Sequence, residues 1–540
     1  MAKQEPTKKP QPAQPAAAAH PIQWRTLING PAALRALVIV QLLILAVRFF
    51  PDMSTNGDDA QYYLLGKSLV SGEGYRKPYD PARTVETQYP VVFPAFLGAV
   101  SVFSQSPLPA KIVNAFTAVL ATILAWYLFR SRLTHLLMPL LACMAVSGFI
   151  AEYSVILMSE VPYVVLTLLA LVLLDRSLAR PQNRLLFWAT IAASVLPTNC
   201  RSIGVSFTAA WVIACLWNRH YRYAVWHAVI FLGASVLFRT LTSWDNPYVL
   251  QLFLRNSYDP AQGYVTVAEM VARIGQNIGR MHGQLIRLTL IPTAKNMSQG
   301  LNGVMSNLIV IAIFIGWLRG LIGRLRLASL YVFFYLGIMT VWQTQWTSER
   351  FVLGIIPFLY LFLFTGLDTV VAFFRTDRPA SFAGFLRELS GDVDGPAPAA
   401  GRRWLAWSAA AVIVLFNLSY NFTKGNTAGR LTRDWTNYYS CADWVRTNTS
   451  KDAVVVSRKA ELFYIRAQRK GYLYPYSHDP DSIVRNFRDN KVTHVVFDNF
   501  FWTRTTQKYL YPVYTKYPGM FKPVYMLKDP DTYIMEFNPQ

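Results

Sequence analysis

The chain has 540 residues, of which 53% are hydrophobic and only 15% are charged. Soluble domains carry roughly 25% charged residues, so this composition argues against a large soluble α-helical protein and favours a membrane protein. The formal net charge of +22 would suggest a nucleic-acid partner in a soluble protein. In a membrane protein Lys and Arg accumulate instead in cytoplasmic loops, so we expect no nucleic acid as a partner.

The N-terminus, residues 1–30, begins with a segment rich in Pro, Ala and Gln that carries Lys3, Lys8 and Lys9. It has no apolar centre, and it is therefore predicted to be a disordered basic cytoplasmic tail rather than a signal peptide. The apolar run that follows is then an uncleaved membrane anchor.

Apolar runs in the remainder predict about eleven transmembrane helices, since roughly 20 apolar residues cross a bilayer. The predicted spans are 33–50, 111–129, 133–150, 161–176, 185–199, 203–217, 224–241, 303–318, 327–343, 351–372 and 404–421. With the basic N-terminus inside, every basic cluster falls at a cytoplasmic turn, including the Pro/Ala/Gly-rich linker at 377–402. The odd number of spans predicts an extracytoplasmic C-terminus.

These spans form a transmembrane domain at 31–421, with outward loops at 51–109 and 242–302. The more polar remainder, 422–540, is predicted to be a small extracytoplasmic α/β domain. Its predicted strands are 453–457, 493–498, 523–527 and 533–537, and its predicted helices are 459–466 and 481–490. Four cysteines do not make a disulfide framework, although Cys200 and Cys441 could both face outward and pair.

The first outward loop contains the acidic pair Asp58 and Asp59, followed by apolar residues at helical spacing and then by glycines at 72 and 74. This pattern predicts a short amphipathic helix along the membrane surface, and 95–103 is predicted to be a second interfacial segment. One carboxylate could simply cap the helix, or one could remove a proton from an acceptor hydroxyl. Adjacent helical residues do not share a face, so only one of the two should point into a site.

Six segments resemble the GT-C glycosyltransferases, most closely the bacterial relatives of protein O-mannosyltransferases and of the lipid A aminoarabinose transferase. They are GDDAQYY at 57–63, GEGY at 72–75, YPVVFP at 89–94, MSEVPY at 158–163, NCRSIG at 199–204 and ERFVL at 349–353. That branch usually has Asp-Glu where this chain has Asp58-Asp59.

The resemblance implies catalytic roles for three acids: Asp58 as the general base, with Asp59 as a supporting acid or helix cap and Glu160 facing the site. It also implies that Arg350 and Arg201 bind the donor phosphate, although an Arg at a membrane edge can simply extend to lipid headgroups. Arg280, His282, Arg287 and Lys295 in the second outward loop are weaker phosphate candidates. No residues have the spacing of a metal site, and no cofactor is identified; a requirement for a divalent cation is left open.

The function implied is an inverting glycosyltransferase, hexosyl or pentosyl, of the cell envelope. It would move a sugar from a polyprenyl-phosphate donor to a hydroxyl on the extracytoplasmic face of a bacterial inner membrane. The acceptor is a protein, a glycolipid or a polysaccharide. A transporter or flippase for lipid-linked glycans would need charged or broken helices at mid-membrane. A non-enzymatic assembly protein would need no catalytic carboxylate.

Overall fold

The computed structural model describes residues 30–539, apart from 105, 134, 243–246, 294–297, 376–388 and 390–399. The predicted tail, 1–30, and the predicted linker, 377–402, fall almost entirely outside the described residues, as does the candidate Lys295.

The secondary-structure elements before the C-terminal domain are helices joined by loops. Its helices are α1 (Pro31–Arg48), α2 (Asp58–Val70), α3 (Val92–Ser101), α4 (Leu108–Phe129), α5 (Leu137–Val146), α6 (Gly148–Ser154), α7 (Glu160–Ala179), α8 (Arg184–Cys200), α9 (Val205–Trp217) and α10 (Tyr221–Thr242). The next helices are α11 (Pro247–Phe253), α12 (Val267–Arg280), α13 (Ile286–Leu290), α14 (Gln299–Ile322), α15 (Arg326–Val341), α16 (Glu349–Val352), α17 (Ile356–Arg375) and α18 (Ala400–Lys424). A π-helical turn, Met281–Leu285, joins α12 to α13.

Helices occupy all eleven predicted span positions, but not all of them are long. Seven helices of the described residues are long and apolar enough to cross a membrane, or eight spans if α5 and α6, which meet at a 48° bend, count as one. Helices α8, α9 and α15 have only 17, 13 and 16 residues, fewer than the roughly 20 that cross a bilayer. The prediction of a helical multi-pass membrane protein is confirmed, whereas the count of eleven spans stays a prediction.

Polar contacts between helix ends identify the two sides of the helical bundle. On one side Arg132 donates to Asp175 at 2.7 Å and Arg326 donates to Asn218 at 2.5 Å, so basic turns distant in sequence lie together. The opposite side carries the first outward loop, the start of α7 and the C-terminal domain. We call it the outward face, and its extracytoplasmic orientation stays a prediction.

The C-terminal domain contains α19 (Arg433–Asn448), α20 (Ala460–Ala467), α21 (Pro480–Asp489) and α22 (Thr505–Lys516) with the strands β1 (Val455–Val456), β2 (Gly471–Tyr472), β3 (His494–Phe497), β4 (Phe521–Leu527) and β5 (Thr532–Phe537). The strands form one sheet in the order β2-β1-β3-β5-β4, in which β1 is parallel to β2 and β3, and β5 is antiparallel to β3 and β4. The predicted small α/β unit is therefore present. Strand β2 and helices α19 and α22 are not among the predicted elements, although the buried Trp435, Tyr438, Ala442 and Val445 of α19 follow a helical period.

Helix α2 begins where predicted but is not amphipathic. Its residues from Asp59 to Gly66 are all buried, so these two turns of the helix have no lipid-facing or solvent-facing side. Helix α3 packs so closely against it that a Cβ on Gly66 would lie 2.7 Å from the Gly98 nitrogen, and α20 of the C-terminal domain covers it through Ala460. The prediction of a surface amphipathic helix is wrong because two protein elements, rather than lipid and water, enclose α2.

All four cysteines are buried free thiols. Cys200 lies at the end of α8 with its sulfur near the Ser159 carbonyl, whereas Cys441 lies inside the C-terminal domain. The possible Cys200–Cys441 disulfide is therefore not formed, because each thiol is enclosed by the core of its own domain.

Candidate active site

Asp58 is the first residue of α2 and lies on the outward face. The preceding Gly57 has a φ of +88°, a conformation that L side chains rarely adopt, and this turn fixes where α2 starts. A Cβ at Gly57 would lie 2.7 Å from the Lys459 Nζ, so the backbone approaches the C-terminal domain closely here. The tight turn places the Asp58 carboxylate at the boundary between the helical bundle and that domain.

The Asp58 carboxylate accepts one hydrogen bond on each oxygen. Arg350 Nη2 donates to Oδ2 at 2.9 Å, and Tyr89 Oη donates to Oδ1 at 2.9 Å. Burial raises the pKa of Asp58, but the charges of Arg350 and Lys459, together with these hydrogen bonds, outweigh it and hold the pKa below its ordinary value. Because the side chain is still 27% exposed, an ionised carboxylate is accessible on the outward face.

Arg350 joins two of the predicted acids. Its Nε donates to Glu160 Oε1 at 2.5 Å while its Nη2 holds Asp58, so one planar guanidinium fixes both carboxylates. Arg350 lies in α16, the single helical turn that leads into α17, and Glu160 is the first residue of α7. The starts of three helices therefore converge at Arg350.

Arg201 completes the group from the end of α8. Its Nη1 lies 2.8 Å from the same Glu160 oxygen and donates to Ser159 Oγ at 2.9 Å. Ser159 is in turn 3.2 Å from the Tyr62 hydroxyl on α2. Glu160 is only 1% exposed, and its other oxygen, Oε2, has no hydrogen-bond partner among the described residues. The four predicted residues thus form a chain of alternating charge, Asp58–Arg350–Glu160–Arg201, in which the formal charges balance.

Asp59 points away from this group. Its oxygens accept hydrogen bonds from the Ser54 amide at 2.7 Å and from its neighbour, the Ala60 amide, at 2.9 Å. Burial raises the pKa of Asp59, although these hydrogen bonds and the charge of Lys111 oppose the shift. The expected divergence of the two acids is present: Asp58 faces Arg350, and Asp59 ties the loop before α2 to the helix.

Two further residues, Tyr89 and Lys459, lower the pKa of Asp58 and are not among the candidates predicted from the sequence. Tyr89 begins the segment YPVVFP at 89–94, one of the six that resemble the GT-C glycosyltransferases. The sequence therefore contained a signal that could have identified Tyr89 as a site residue. Lys459 lies in the C-terminal domain and donates to the Asn56 carbonyl at 2.7 Å. Nothing in the sequence connects it with Asp58, because its position follows from how the domain packs on the loop.

The weaker candidates of the second outward loop lie apart from the charged group. Arg280 donates to the Thr347 carbonyl at 2.8 Å, and Arg287 donates to Ser306 Oγ at 2.9 Å, whereas His282 is exposed. Among the described residues no group of three or more His, Cys, Asp or Glu side chains could hold a metal ion.

Neither a protein-family model nor a curated protein sequence matches the chain. Solved structures do match it. ArnT from Cupriavidus metallidurans in the apo state has 12% identity and a TM-score of 0.53, with 93% of this chain and 97% of that chain covered. The same enzyme bound to undecaprenyl phosphate gives 10% identity and a TM-score of 0.51 over the same shares. The Archaeoglobus fulgidus oligosaccharyltransferase tethered with an acceptor peptide gives 11% identity and a TM-score of 0.53, with 95% and 75% covered.

Similarity at these identities shows a shared fold. Both enzymes are GT-C glycosyltransferases, and the chain therefore has the GT-C fold. The resemblance read from the six sequence segments is confirmed at this level.

Proposed function

We propose that this GT-C-fold chain is an inverting glycosyltransferase that moves a sugar from a polyprenyl phosphate to an acceptor hydroxyl at the outward face. The observation that carries the proposal is the accessible, ionised Asp58 carboxylate, which Arg350 and Tyr89 orient at the boundary between the bundle and the C-terminal domain. Two fold neighbours add support, one bound to undecaprenyl phosphate and one tethered to an acceptor peptide.

In the proposed reaction Asp58 accepts the proton of the acceptor hydroxyl as its oxygen attacks the anomeric carbon. The new C–O bond forms while the bond from that carbon to the phosphate oxygen breaks, and the lipid phosphate leaves with the electron pair. A single displacement inverts the anomeric centre. A positioned general base typically contributes about 10²–10⁴ to the rate.

The low pKa of Asp58 fits this sequence of events. An acid with a low pKa is ionised before the reaction and takes the proton only once the attacking hydroxyl has become acidic. A donor phosphate that pairs with Arg350 also weakens the interaction of this arginine with Asp58. The pKa of the Asp58 carboxylate therefore rises when the donor is bound.

The remaining predicted residues hold the geometry. Arg350 and Arg201 bind the donor phosphate with the donors that Glu160 leaves free, while Glu160 keeps both guanidinium groups in place. Asp59 keeps the loop before α2 folded against the helix and thereby positions Asp58.

A lipid-linked glycan transporter or flippase is the second candidate, because the structure contains features that such a protein would use. Helices α5 and α6 form a broken pair. The buried Asp368 lies 2.9 Å from His135 and 3.3 Å from Arg319, but His135 precedes α5 and Arg319 is in the last turn of α14, so this charged group lies at helix ends rather than at mid-membrane. The charges of Asp368 and Arg319 offset each other, which also fits a purely structural role.

Transfer and transport give different results in one reconstituted system. Purified protein in proteoliposomes is supplied with radiolabelled polyprenyl-phosphate hexoses and pentoses and with a bacterial membrane extract. The transferase proposal expects the label in one fraction, protein, glycolipid or polysaccharide, and its disappearance in Asp58→Asn. Movement of an intact lipid-linked glycan across the bilayer, without sugar transfer and independent of Asp58, would contradict the transferase proposal and support the transporter.

A further inference from the structure

The C-terminal domain brings an exposed tryptophan to the boundary at which Asp58 lies. Trp502 is in the turn between β3 and α22, and its side chain is 46% exposed. The Nζ of Lys459 lies 5.7 Å from the centre of the Trp502 ring, and the same Nζ donates to the Asn56 carbonyl, two residues before Asp58. One lysine therefore joins Trp502 to the turn that carries the proposed base.

Ring contacts continue from the C-terminal domain to the opposite side of this boundary. Tyr476 stacks on Tyr509 at 5.0 Å, and Tyr509 Oη donates to the Tyr258 carbonyl at 2.6 Å. The Tyr258 ring lies edge-on to Trp346 at 6.0 Å, and Trp346 is four residues before Arg350. The contacts that leave the proposed base through Lys459 therefore return to it through Arg350. We define the aromatic rim as Trp502, Tyr476, Tyr258 and Trp346, all of which are exposed or half-buried.

Arg458 lies between two rings of the aromatic rim. Its guanidinium is 4.9 Å from the centre of the Trp502 ring and 5.7 Å from that of Tyr476, and its Nε donates to Thr505 Oγ1 at 3.0 Å. These contacts fix the plane of a side chain that is only 7% exposed. Its two Nη nitrogens make no hydrogen bond or ion pair with any described residue, and neither is fully enclosed by protein.

A second arginine of the same domain shows what a structural role requires. Arg469 is 8% exposed, and all three of its nitrogens donate hydrogen bonds, to Thr449 Oγ1 and to four backbone carbonyls. Arg458 is equally buried but lacks such acceptors at Nη1 and Nη2. Because an unpaired buried polar group is costly, a ligand with acceptor oxygens would complete the hydrogen bonds of Arg458.

The charges beside the aromatic rim leave this arginine without a counter-ion. Lys459 lies 3.9 Å from Glu461, and Lys508 lies 2.7 Å from Asp259, so both lysines are paired. Among the described residues no carboxylate is within ion-pair distance of Arg458. The buried Asp498 is near enough for the charge of Arg458 to act on it, but burial raises the pKa of Asp498 to about 7, so it supplies only part of a negative charge near neutral pH.

We propose that the aromatic rim binds a carbohydrate acceptor that carries a carboxylate, with a sugar ring stacked on Trp502 and the carboxylate paired with Arg458. Indole and phenol rings pack against the C–H faces of sugars while their polar edges stay in contact with water. A planar guanidinium donates two parallel hydrogen bonds to a carboxylate, and one unpaired arginine balances its single charge. The rim side chains offer neither the strand edge nor the apolar groove by which peptides commonly bind.

The inference deepens the proposed function and rests on it for the hydroxyl that Asp58 activates. The rim begins at Lys459, which also lowers the pKa of Asp58, so a sugar stacked on Trp502 lies next to the turn of the proposed base. Arg350 and Arg201 remain assigned to the donor phosphate. The acceptor is then held by the C-terminal domain and the donor by the helical bundle.

Oligosaccharide binding to the full chain in nanodiscs, without donor, tests the proposal. The probes are oligomers of galacturonic, glucuronic and mannuronic acid, each compared with its methyl ester, which keeps the sugar rings and removes the charge. We expect at least one acid to bind, and Trp502→Ala and Arg458→Gln each to weaken its binding about tenfold or more. The ester should bind the wild type as weakly as the acid binds Arg458→Gln. No binding of any acid, equal binding of its ester, or unchanged affinity in both variants would overturn the proposal.

Matched variants separate a ligand role from a structural one. Arg469→Gln removes satisfied hydrogen bonds, so we expect a lower melting temperature with unchanged oligosaccharide affinity. Trp444→Ala removes an indole that stacks on Tyr525 in the same domain, and it too should leave the affinity unchanged. We expect Arg458→Gln to melt close to the wild type and to lose oligosaccharide-induced stabilisation. If Arg458→Gln instead melts as low as Arg469→Gln and its folded fraction binds normally, Arg458 is structural and the proposal fails.

Two further comparisons identify the ligand class and separate this inference from the transferase proposal. An acidic peptide that binds as tightly as the oligosaccharide, with the same loss in Trp502→Ala, would overturn the carbohydrate assignment. If the wild type binds the oligosaccharide but transfers no sugar to any acceptor, the transferase proposal fails and the binding site stands. Sugar transfer with an unchanged KM for the acceptor in Trp502→Ala and Arg458→Gln gives the reverse.

Discussion

Arg350 holds Asp58 and Glu160 with two different nitrogens of one guanidinium, at 2.9 Å and 2.5 Å. The two acids come from helices that are far apart in sequence, and this arginine sets the orientation of both. The orientation of the proposed base, Asp58, is therefore fixed by Arg350, which also binds the buried carboxylate of Glu160. The geometry of the site depends on the planar guanidinium of Arg350.

Replacing Asp58 with Asn tests the base directly. The amide side chain would fit the same space and could still accept a hydrogen bond from Arg350, but it could not take up a proton. We expect kcat to fall about 100-fold or more while the melting temperature and lipid binding stay close to those of the wild type. Near-normal turnover with labelled donor would rule out the assignment.

Arg350→Lys keeps the positive charge and removes the planar guanidinium group. A single ammonium group cannot repeat the planar contacts of Nε and Nη2 with two carboxylates, so Asp58 loses its fixed orientation. We expect a loss of about 100-fold in kcat, the scale of a misplaced catalytic group. Arg201→Lys is the comparison, because Arg201 contacts Glu160 but not Asp58, and its effect on kcat should be smaller. Equal effects would mean that orientation of Asp58 is not what Arg350 provides.

The pH dependence follows from the low pKa of Asp58. A depressed pKa leaves the carboxylate ionised, and its contribution to stability is present above the unfolded-state pKa and is lost only as the pH falls through the lower folded-state pKa. The rate, kcat/KM, should therefore show no acid limb from Asp58 between about pH 5 and 8. Removing the nearby charge in Lys459→Met should move the acid limb to higher pH. A limb that moves to lower pH, or not at all, would contradict the role of Lys459.

Asp59→Asn tests the supporting role of the second acid. The Ser54 and Ala60 amides donate to different oxygens of Asp59, and in Asn one of these oxygens becomes an NH₂ donor, so one buried amide loses its acceptor. We expect a loss of about 1–3 kcal/mol in the free energy of unfolding, with a smaller loss of kcat than Asp58→Asn. Chemical denaturation and the transfer assay measure the two. A stable variant without activity would instead place Asp59 in the chemistry.

Gly57→Ala tests the turn that starts α2. Alanine at a φ of +88° costs about 1–2 kcal/mol, and its Cβ also presses on Lys459. Gly74→Ala is the matched control, because its φ of +81° imposes similar strain with nothing within 4 Å of the new Cβ. We expect Gly57→Ala to lose more activity than the control at comparable stability. Equal losses would mean that contact with the C-terminal domain does not position Asp58.

The sequence by itself determined the helices at the apolar runs and the residue at which α2 begins. Apolar runs mark helices in any membrane protein because backbone polar groups must be satisfied inside lipid, and all eleven predicted positions carry one. The separation of Asp58 from Asp59 also followed from local geometry, since neighbouring helical side chains point about 100° apart. These features depend on residues close together in the chain.

Tertiary structure alone decided the rest. The partners of Asp58 are 31, 292 and about 400 residues away, at Tyr89, Arg350 and Lys459. The burial of α2 and the balanced charges of Arg350 and Arg201 likewise depend on which elements pack together. Burial and the distance between charges are set by packing across the chain, and the local pattern of one segment carries no information about which distant segment will cover it.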